Sequence, residues 1–326
     1  DLSSAGEAIT PFIAYAASPE SPTCTENCNS SVLFLPGLKG SVLQSGSETL
    51  WPADLSGTDF PKLALNEDGT SKNPVVVNGI LPSFKIHLPV LGDVGPEIYS
   101  GFMQYMDGLV AVGTIKEWKP FAYDWRYSPD YIVSHDMQTP EGPVNLIAEV
   151  ERMTSTSHSR TGKVTIVAHS MGGLVGKALI RALEEKGEAD LIDSFVMIGS
   201  PELGTPQAAA SLLHGDQEGI PGKGIFPNFV ATRSVVRSVG RDLPGAYSLL
   251  PSEAYFDTVT DPVITFDPVF FTQEWRQYFG NTGINSYTPF SEFLNGTGSV
   301  RSRPNPSLVG AHVGAQLNQP RFIKSV

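Results

Sequence analysis

The sequence is poor in basic residues and has no long apolar run, and each scarcity excludes a class of protein. Lys and Arg together number 22 against 34 Asp and Glu, so the formal net charge is −12 and no basic face for nucleic acid is encoded. No stretch of about 18 consecutive apolar residues occurs, so we predict no transmembrane helix. The hydrophobic fraction of 40% is nonetheless ample for the core of one large domain or of two smaller ones.

Cysteine is also scarce, since only Cys24 and Cys28 are present, in the polar segment Cys-Thr-Glu-Asn-Cys. They are either a small surface disulfide in a secreted chain or two unrelated thiols, and we favour the disulfide. A zinc site would need further ligands, which the sequence does not offer, and we expect neither a metal nor a cofactor. Asn29 and Asn295 begin glycosylation sequons, which matter only in a eukaryotic host.

The most informative segment is an apolar strand that stops at a single serine and passes into a helix. Val164–Ala168 is apolar and β-branched, Ser170 follows, and an apolar helical stripe then continues as far as Gly187. A serine hydroxyl is a poor nucleophile at neutral pH, so hydrolases expose it on a strained strand-to-helix turn. The pattern predicts that Ser170 is a catalytic nucleophile, the alternative being an ordinary turn.

Small residues on both sides of the serine support this prediction. The positions two before and two after the nucleophile lie against neighbouring backbone, and here they are Ala168 and Gly172. The motif is therefore Ala-x-Ser-x-Gly, in which alanine adds only a methyl group at the crowded point.

Alternating strand and helix signals predict a doubly wound, mostly parallel α/β sheet. Val32–Leu35 is a short apolar strand, Leu146, Ile147 and Val150 have helical spacing, and Phe195–Gly199 is the next strand after the serine. The expected organisation has four parts: a polar arm (1–30), the core with excursions at about 50–110 (31–200), a cap insertion without strands (201–262) and a remainder (263–326) that ends before the last core strands.

Six short motifs occur in order along the chain: Phe34–Gly40, Leu50–Pro52, Tyr123–Arg126, Ala168–Gly173, Gly204–Pro206 and Leu249–Ser252. Together they resemble the lecithin:cholesterol acyltransferase family, which includes lysosomal phospholipase A2 and bacterial relatives. The resemblance implies an α/β-hydrolase core with a cap and a lid. It also implies acyl transfer from a lipid ester to water or to an alcohol.

The resemblance further implies an oxyanion-binding site made of backbone amides. The loop at Gly37 would supply one donor, the N–H of Leu38, although the family loop usually reads Pro-Gly-x-Leu-Gly and Leu38-Lys39 departs from it. The other donor is expected to be the N–H of Met171, directly after the nucleophile. Losing one such donor typically costs about 3 kcal/mol of transition-state stabilisation.

The acid and the histidine of a triad are harder to identify. The only histidines after Ser170 are His214, in the predicted cap, and His312. Asp267 and His312 would give the chain order of this fold class. The stretch 262–279, however, resembles a part of the family upstream of its catalytic acid. We therefore favour an aspartate and a histidine that lie beyond residue 326 or on a second polypeptide.

Two other polar clusters have structural explanations. His169 faces away from Ser170 across the strand, so we expect it to pack rather than to act as the base. Asp124 and Arg126 are expected to form an ion pair beside Trp125.

The sequence thus predicts a secreted serine esterase of the lipase, phospholipase A or acyltransferase type that forms an acyl-enzyme on Ser170. The substrate would be a lipid ester. The alternative is a non-catalytic lipid-binding or partner-binding protein that retains the hydrolase scaffold.

Overall fold

The computed structural model describes residues 29–53, 59–84, 86–88, 92–94, 96–155, 157–214, 218–220 and 228–252, together with Tyr255 and Thr258. The strands in these residues are β1 (Ser31–Leu35), β2 (Ser41–Ser45), β3 (Glu48–Trp51), β4 (Val76–Ile80), β5 (Ile86–Leu88), β6 (Gly92–Val94), β7 (Trp118–Pro120), β8 (Met137–Thr139), β9 (Gly142–Val144), β10 (Val164–His169), β11 (Ile192–Ile198), β12 (Glu218–Ile220) and β13 (Asn228–Ala231). The α-helices are α1 (Ser100–Ala111), α2 (Pro129–Ser134), α3 (Leu146–Thr154), α4 (Met171–Lys186), α5 (Pro206–His214), α6 (Arg233–Gly240) and α7 (Pro244–Tyr247).

The centre of the fold is a four-stranded sheet in the order β11-β10-β1-β7. Every pairing in it is parallel, with Phe34 of β1 opposite Val167 of β10 and Val167 opposite Val196 of β11. The carboxyl ends of parallel strands meet at one edge, which is where α/β proteins bind their ligands. This mixed α/β arrangement agrees with the predicted sheet and is consistent with an α/β-hydrolase core.

Helices α3 and α4 cover one face of the sheet over β1 and β10. The inward residues of β1 and β10 alternate with outward ones, and Leu33, Leu35 and Ile166 are completely buried among the apolar side chains of the two helices. Burying each such side chain is worth roughly 1.5–3 kcal/mol. Asn145 begins α3 by accepting hydrogen bonds from two backbone amides, and Gly187 ends α4 in the left-handed conformation, as its position in the sequence predicts.

The opposite face is covered only in part. Phe34 of β1 packs against Tyr99 and Phe102, at the start of α1. Val196 and Ile198 of β11 lie on this face beyond the reach of α1 and are 46% and 48% exposed. Strand β11 is therefore the edge of the sheet within the described residues. The remainder (263–326) lies outside them, so its predicted end before the last core strands stays a prediction.

The excursions between β1 and β7 form a three-stranded antiparallel sheet, the antiparallel pair of β5 and β6, and helix α1. Strands β3, β2 and β4 pair in that order, a 3-10 turn follows β3, and the peptide bond between Trp51 and Pro52 is cis. Trp51 packs edge-on against Trp125, with ring centroids 5.9 Å apart. Helix α1 was not predicted, and the motif Tyr123–Arg126 lies in the coil and turn that follow β7.

The segment predicted as a cap contains α5, β12, β13, α6 and α7. The expectation that it has no strands is wrong, because β12 and β13 pair as an antiparallel hairpin. Strands of three and four residues are too short to show a period in the sequence. Two backbone hydrogen bonds, from Thr205 to Leu249 at 2.7 Å and from Ser252 to Leu203 at 2.8 Å, tie the two ends of this segment together.

Candidate active site

Ser170 occupies a sharp turn between β10 and α4. Its backbone has φ 52° and ψ −123°, a conformation that residues with a side chain rarely adopt. Such strain costs of the order of 1–3 kcal/mol and persists only where the surroundings impose it. Here the Ser170 N–H donates to the carbonyl of Ile198 at 2.9 Å, which fixes the turn to the end of β11. This is the geometry of the turn that presents a nucleophilic serine.

The turn leaves room only for small residues on the α4 side. A Cβ added to Gly172 would lie 2.3 Å from the carbonyl oxygen of Leu35, and one added to Gly173 would lie 2.0 Å from Ser200 Oγ. Ala168 is completely buried at the end of β10. The predicted need for small residues around Ser170 therefore has a direct cause in the close approach of α4 to β1.

A tight turn from Gly37 to Gly40 follows β1 and runs beside Ser170. The Gly40 N–H donates to the Gly37 carbonyl at 2.9 Å, and Lys39 has φ 61°, so the turn is of type II with a lysine where glycine is usual. A Cβ on Gly37 would lie only 2.9 Å from Ser170 Cβ. The glycine therefore allows the loop to lie directly against Ser170.

Three aromatic side chains hold this loop in place. The Tyr123 hydroxyl donates to the carbonyl of Pro36, the Trp51 indole N–H donates to the carbonyl of Lys39 at 2.7 Å, and the Tyr99 hydroxyl accepts from the Gly37 N–H at 2.8 Å. The first two of these aromatic residues belong to the motifs that carried the family resemblance, and Tyr99 does not.

Leu38 and Met171 both lie next to Ser170. Leu38 is a central residue of the turn and lines the same cavity as the serine, whereas Met171 is the first residue of α4 and its side chain is fully buried. Neither backbone N–H donates a hydrogen bond to another residue of the described part of the chain.

A cavity of about 360 Å³ opens at Ser170. Its walls are mostly apolar and come from the loops at the carboxyl ends of the strands and from the segment predicted as a cap. Among the lining residues are Leu38, Trp125, Ser170, Leu212, Val236 and Leu249. Lys39 is the only residue with an ionisable side chain among the described residues that line it. A cavity of this size and polarity suits an acyl chain.

His169 does not line the cavity and makes contacts that suit a structural role. Its Nδ1 lies 2.9 Å from the Tyr99 hydroxyl, and the two rings meet edge-on. Burial lowers the pKa of His169, which favours the neutral imidazole. These contacts agree with the expectation that His169 packs and is not the base.

Asp124 and Arg126 form the predicted ion pair. The Arg126 Nη2 to Asp124 Oδ2 distance is 2.6 Å, and both side chains are buried. Nη1 of the arginine donates to the Leu63 carbonyl at 3.2 Å and to Ser71 Oγ at 2.9 Å. Neither residue lines the cavity at Ser170, and the arginine joins the turn after β7 to the 3-10 turn that ends at Leu63 and to the segment before β4.

Several predicted residues lie outside the described part of the chain. These are Cys24, Cys28, Asp267, Asn295 and His312.

Within the described ranges, no group of three or more His, Cys, Asp or Glu side chains is placed to hold a metal ion. No helix in the same ranges combines the length and the apolarity needed to cross a bilayer. Asn29 is exposed and lies two residues before β1.

Comparison with known proteins identifies relatives. The family described as lecithin:cholesterol acyltransferase matches residues 92–287. The human protein named "Lysosomal phospholipase A and acyltransferase" is 27% identical over 162 residues, which is 50% of this chain and 35% of that protein, so the match spans about a third of the relative's length. Neither match supports the expected second polypeptide. The family match contains Ser170, Tyr99 and His169, whereas the loop at Gly37 precedes it.

Proposed function

The chain belongs to the lecithin:cholesterol acyltransferase family, and from this premise we propose that it is a serine esterase that transfers an acyl group from a lipid ester through Ser170. Family membership and the human relative support acyl transfer from lipid esters or their hydrolysis in general. The serine mechanism is our proposal. The observation that carries it is the strained backbone of Ser170 at the mouth of an apolar cavity.

The proposed reaction has two halves. In the first, Ser170 Oγ attacks the ester carbonyl while a histidine takes its proton, and the oxyanion accepts hydrogen bonds from the N–H groups of Leu38 and Met171. The bond to the lipid alcohol then breaks, the histidine returns the proton to that alcohol, and the acyl group stays on Ser170. In the second half, water or another alcohol attacks the acyl-enzyme in the same way and frees the serine.

The histidine and the acid that orients it come from outside the described residues. Within this chain the candidates are Asp267 and His312, and the alternative is an aspartate and a histidine outside residues 1–326. We favour the alternative and expect the full-length variants Asp267→Asn and His312→Ala to retain activity. Loss of turnover in both, with the fold preserved, would assign the two residues to the triad.

We propose that residues 201–262 act as a cap over the acyl chain. Support comes from Leu212, Val236 and Leu249, which line the same cavity as Ser170.

We further propose that the protein is secreted, because the only two cysteines are closely spaced in a polar segment and because two glycosylation sequons occur. The human relative is named as lysosomal.

The decisive experiment uses the full-length native protein. A fluorophosphonate probe should label Ser170 alone, because only an activated hydroxyl reacts rapidly. Ser170→Ala should abolish both labelling and release of fatty acid from phospholipid vesicles. Ser200→Ala is the matched control, since Ser200 is a second serine beside α4 whose buried hydroxyl has no hydrogen-bond partner within the described residues.

The non-catalytic alternative predicts a different result. A scaffold that only binds lipid would associate with the vesicles, release no fatty acid and take up no probe. Labelling of another serine in place of Ser170 would equally contradict the proposed mechanism.

A further inference from the structure

Tyr99 is a buried tyrosine that links the loop at Gly37 to the residue before the nucleophile. It lies immediately before α1 and is 6% exposed. Its hydroxyl accepts the Gly37 N–H at 2.8 Å and lies 2.9 Å from Nδ1 of His169. One hydroxyl group therefore joins the end of β1 to the end of β10, on the side of the sheet that α1 covers.

We assign the protons so that the Tyr99 hydroxyl both accepts and donates a hydrogen bond. A phenol has one proton to donate, and because Tyr99 accepts from Gly37, its proton is free to point to His169. This requires Nδ1 of His169 to be an unprotonated acceptor. Burial lowers the pKa of His169 and raises the pKa of Tyr99, so both groups stay neutral, as this arrangement needs.

Close packing leaves the loop little freedom to move relative to Tyr99 and His169. A Cβ on Gly40 would lie 2.9 Å from the Tyr99 hydroxyl, and one on Gly37 would lie 3.0 Å from Nδ1 of His169. The ring of Phe34 packs edge-on against Tyr99 with centroids 5.1 Å apart. Both glycines thus bring the turn into contact with the pair.

We propose that Tyr99, held by His169, is a positioning residue that fixes the Gly37 amide and so directs the next amide, that of Leu38, toward Ser170. The Tyr99 hydrogen bond sets the plane of the peptide between Pro36 and Gly37. The type II turn that begins at Gly37 then sets the orientation of the Leu38 N–H. The inference rests on the proposed function, because it gives the Leu38 amide a role in that reaction.

The first test removes the hydroxyl with Tyr99→Phe in the full-length protein. Loss of one oxyanion donor costs about 10²- to 10³-fold in kcat, and a misdirected donor is expected to cost less, about 10- to 100-fold. With p-nitrophenyl butyrate as substrate, we expect kcat to fall by this factor while KM stays within about twofold. The affinity for an alkylboronic acid, which forms a tetrahedral adduct on the serine, should fall by the same factor as kcat.

Tyr247→Phe is the matched control for the loss of a buried phenol. The Tyr247 hydroxyl donates to the Arg241 carbonyl at 2.8 Å and does not contact the loop. This variant should have unchanged kcat and unchanged boronic acid affinity. The thermal unfolding midpoints of both variants show whether a lower kcat comes from loss of folded protein.

The second test asks whether His169 acts as an acceptor for Tyr99. In His169→Asn, the amide oxygen takes approximately the place of Nδ1 and can accept the same hydrogen bond. His169→Ala offers no acceptor. We expect the asparagine variant to keep most of kcat, the alanine variant to resemble Tyr99→Phe, and the double variant to be no worse than Tyr99→Phe alone.

The outcomes separate this inference from the proposed function. If Ser170→Ala abolishes turnover but Tyr99→Phe keeps kcat within twofold, the positioning role is wrong and the esterase mechanism stands. An increase in KM alone would make Tyr99 a substrate-binding group and would also overturn the inference. If Ser170→Ala keeps full turnover, the proposed function itself is wrong.

Discussion

The carbonyl oxygen of Leu35 lies 2.3 Å from the point where a Cβ on Gly172 would stand. Leu35 ends β1 and Gly172 belongs to the first turn of α4, so this contact sets how closely the helix after Ser170 approaches the central strand. The atoms that this Cβ would meet are all backbone atoms, so no side-chain rotation can relieve the contact. The position of Ser170 between them depends on this approach.

Gly172→Ala should therefore destabilise the protein by about 1–3 kcal/mol, since the added methyl group must displace β1 or α4. Gly108→Ala in α1 is the control, because a Cβ there meets nothing within 4 Å. Because alanine is favoured over glycine in a helix interior, this variant should be more stable than the wild type by about 0.5–1 kcal/mol. Urea unfolding of the two variants would measure these opposite changes, and equal effects would contradict the steric argument.

The Asp124–Arg126 pair should be important for stability and unimportant for the chemistry. Removing one partner by Asp124→Leu leaves a buried guanidinium without its carboxylate and should cost about 3–5 kcal/mol. Arg126→Lys should also destabilise, because a lysine cannot reproduce the donors that reach Asp124, Leu63 and Ser71 together.

The double variant Asp124→Leu with Arg126→Met distinguishes a structural pair from a catalytic one. It removes both buried charges and should recover much of the lost unfolding free energy. Its kcat per folded molecule should match the wild type. A folded double variant without activity would contradict the structural role.

The turn at Ser170 could be predicted from the sequence because its signals are local. A β-branched strand, one serine between small residues and an amphipathic helix lie within Val164–Gly187, and the structure has all three. Tyr99 could not be found in this way. Its hydrogen bond to Gly37 spans 62 residues, and no motif marks it.

Helix α1 was missed for a related reason. Gly101 and Gly108 interrupt its apolar pattern, and Tyr105 and Val110 are exposed on its surface. Its formation depends on packing against Val32 and Phe34, which lie on the face of β1 opposite α3 and α4. A tertiary contact of this kind leaves little trace in local periodicity.

Protonation of His169 should make the protein less stable. Its pKa is lowered from 6.5 by burial, so the unfolded chain binds more protons between the native pKa and pH 6.5. The contribution of the neutral imidazole is present above pH 6.5 and is lost as the pH falls through that window. The difference in unfolding free energy between wild type and His169→Asn should therefore change with pH below 6.5 and be constant above it.

The backbone strain at Ser170 should be measurable by comparing two inactive variants. Glycine normally destabilises relative to alanine, but at φ 52° the alanine Cβ is disfavoured and glycine is not. Ser170→Gly should therefore be more stable than Ser170→Ala by about 1 kcal/mol. Chemical denaturation of both would test this, and a more stable alanine variant would mean that the turn is not strained.

Lys39 should select for substrates with a negative charge near the ester. It is the only ionisable side chain among the described residues that line the cavity, in a protein whose net charge is −12. Its Nζ lies 5.5 Å from the centroid of the Trp51 ring, which fixes the ammonium group beside the loop. An anionic phosphate group of the lipid would be attracted to it, and a neutral ester would not.

Lys39→Met keeps the length of the side chain and removes the charge. In the full-length protein, kcat/KM for phosphatidylglycerol should fall by about 5- to 10-fold. A partly solvated charge contact is worth about 1 kcal/mol, and 1.4 kcal/mol corresponds to a factor of ten in kcat/KM. The value for p-nitrophenyl butyrate should stay the same. Lys186→Met, which removes an exposed lysine paired with Glu151 and Glu188 at the end of α4, is the control for net charge. If both lysine variants lose activity on phosphatidylglycerol equally, the preference comes from the overall charge of the protein and not from Lys39 in the cavity.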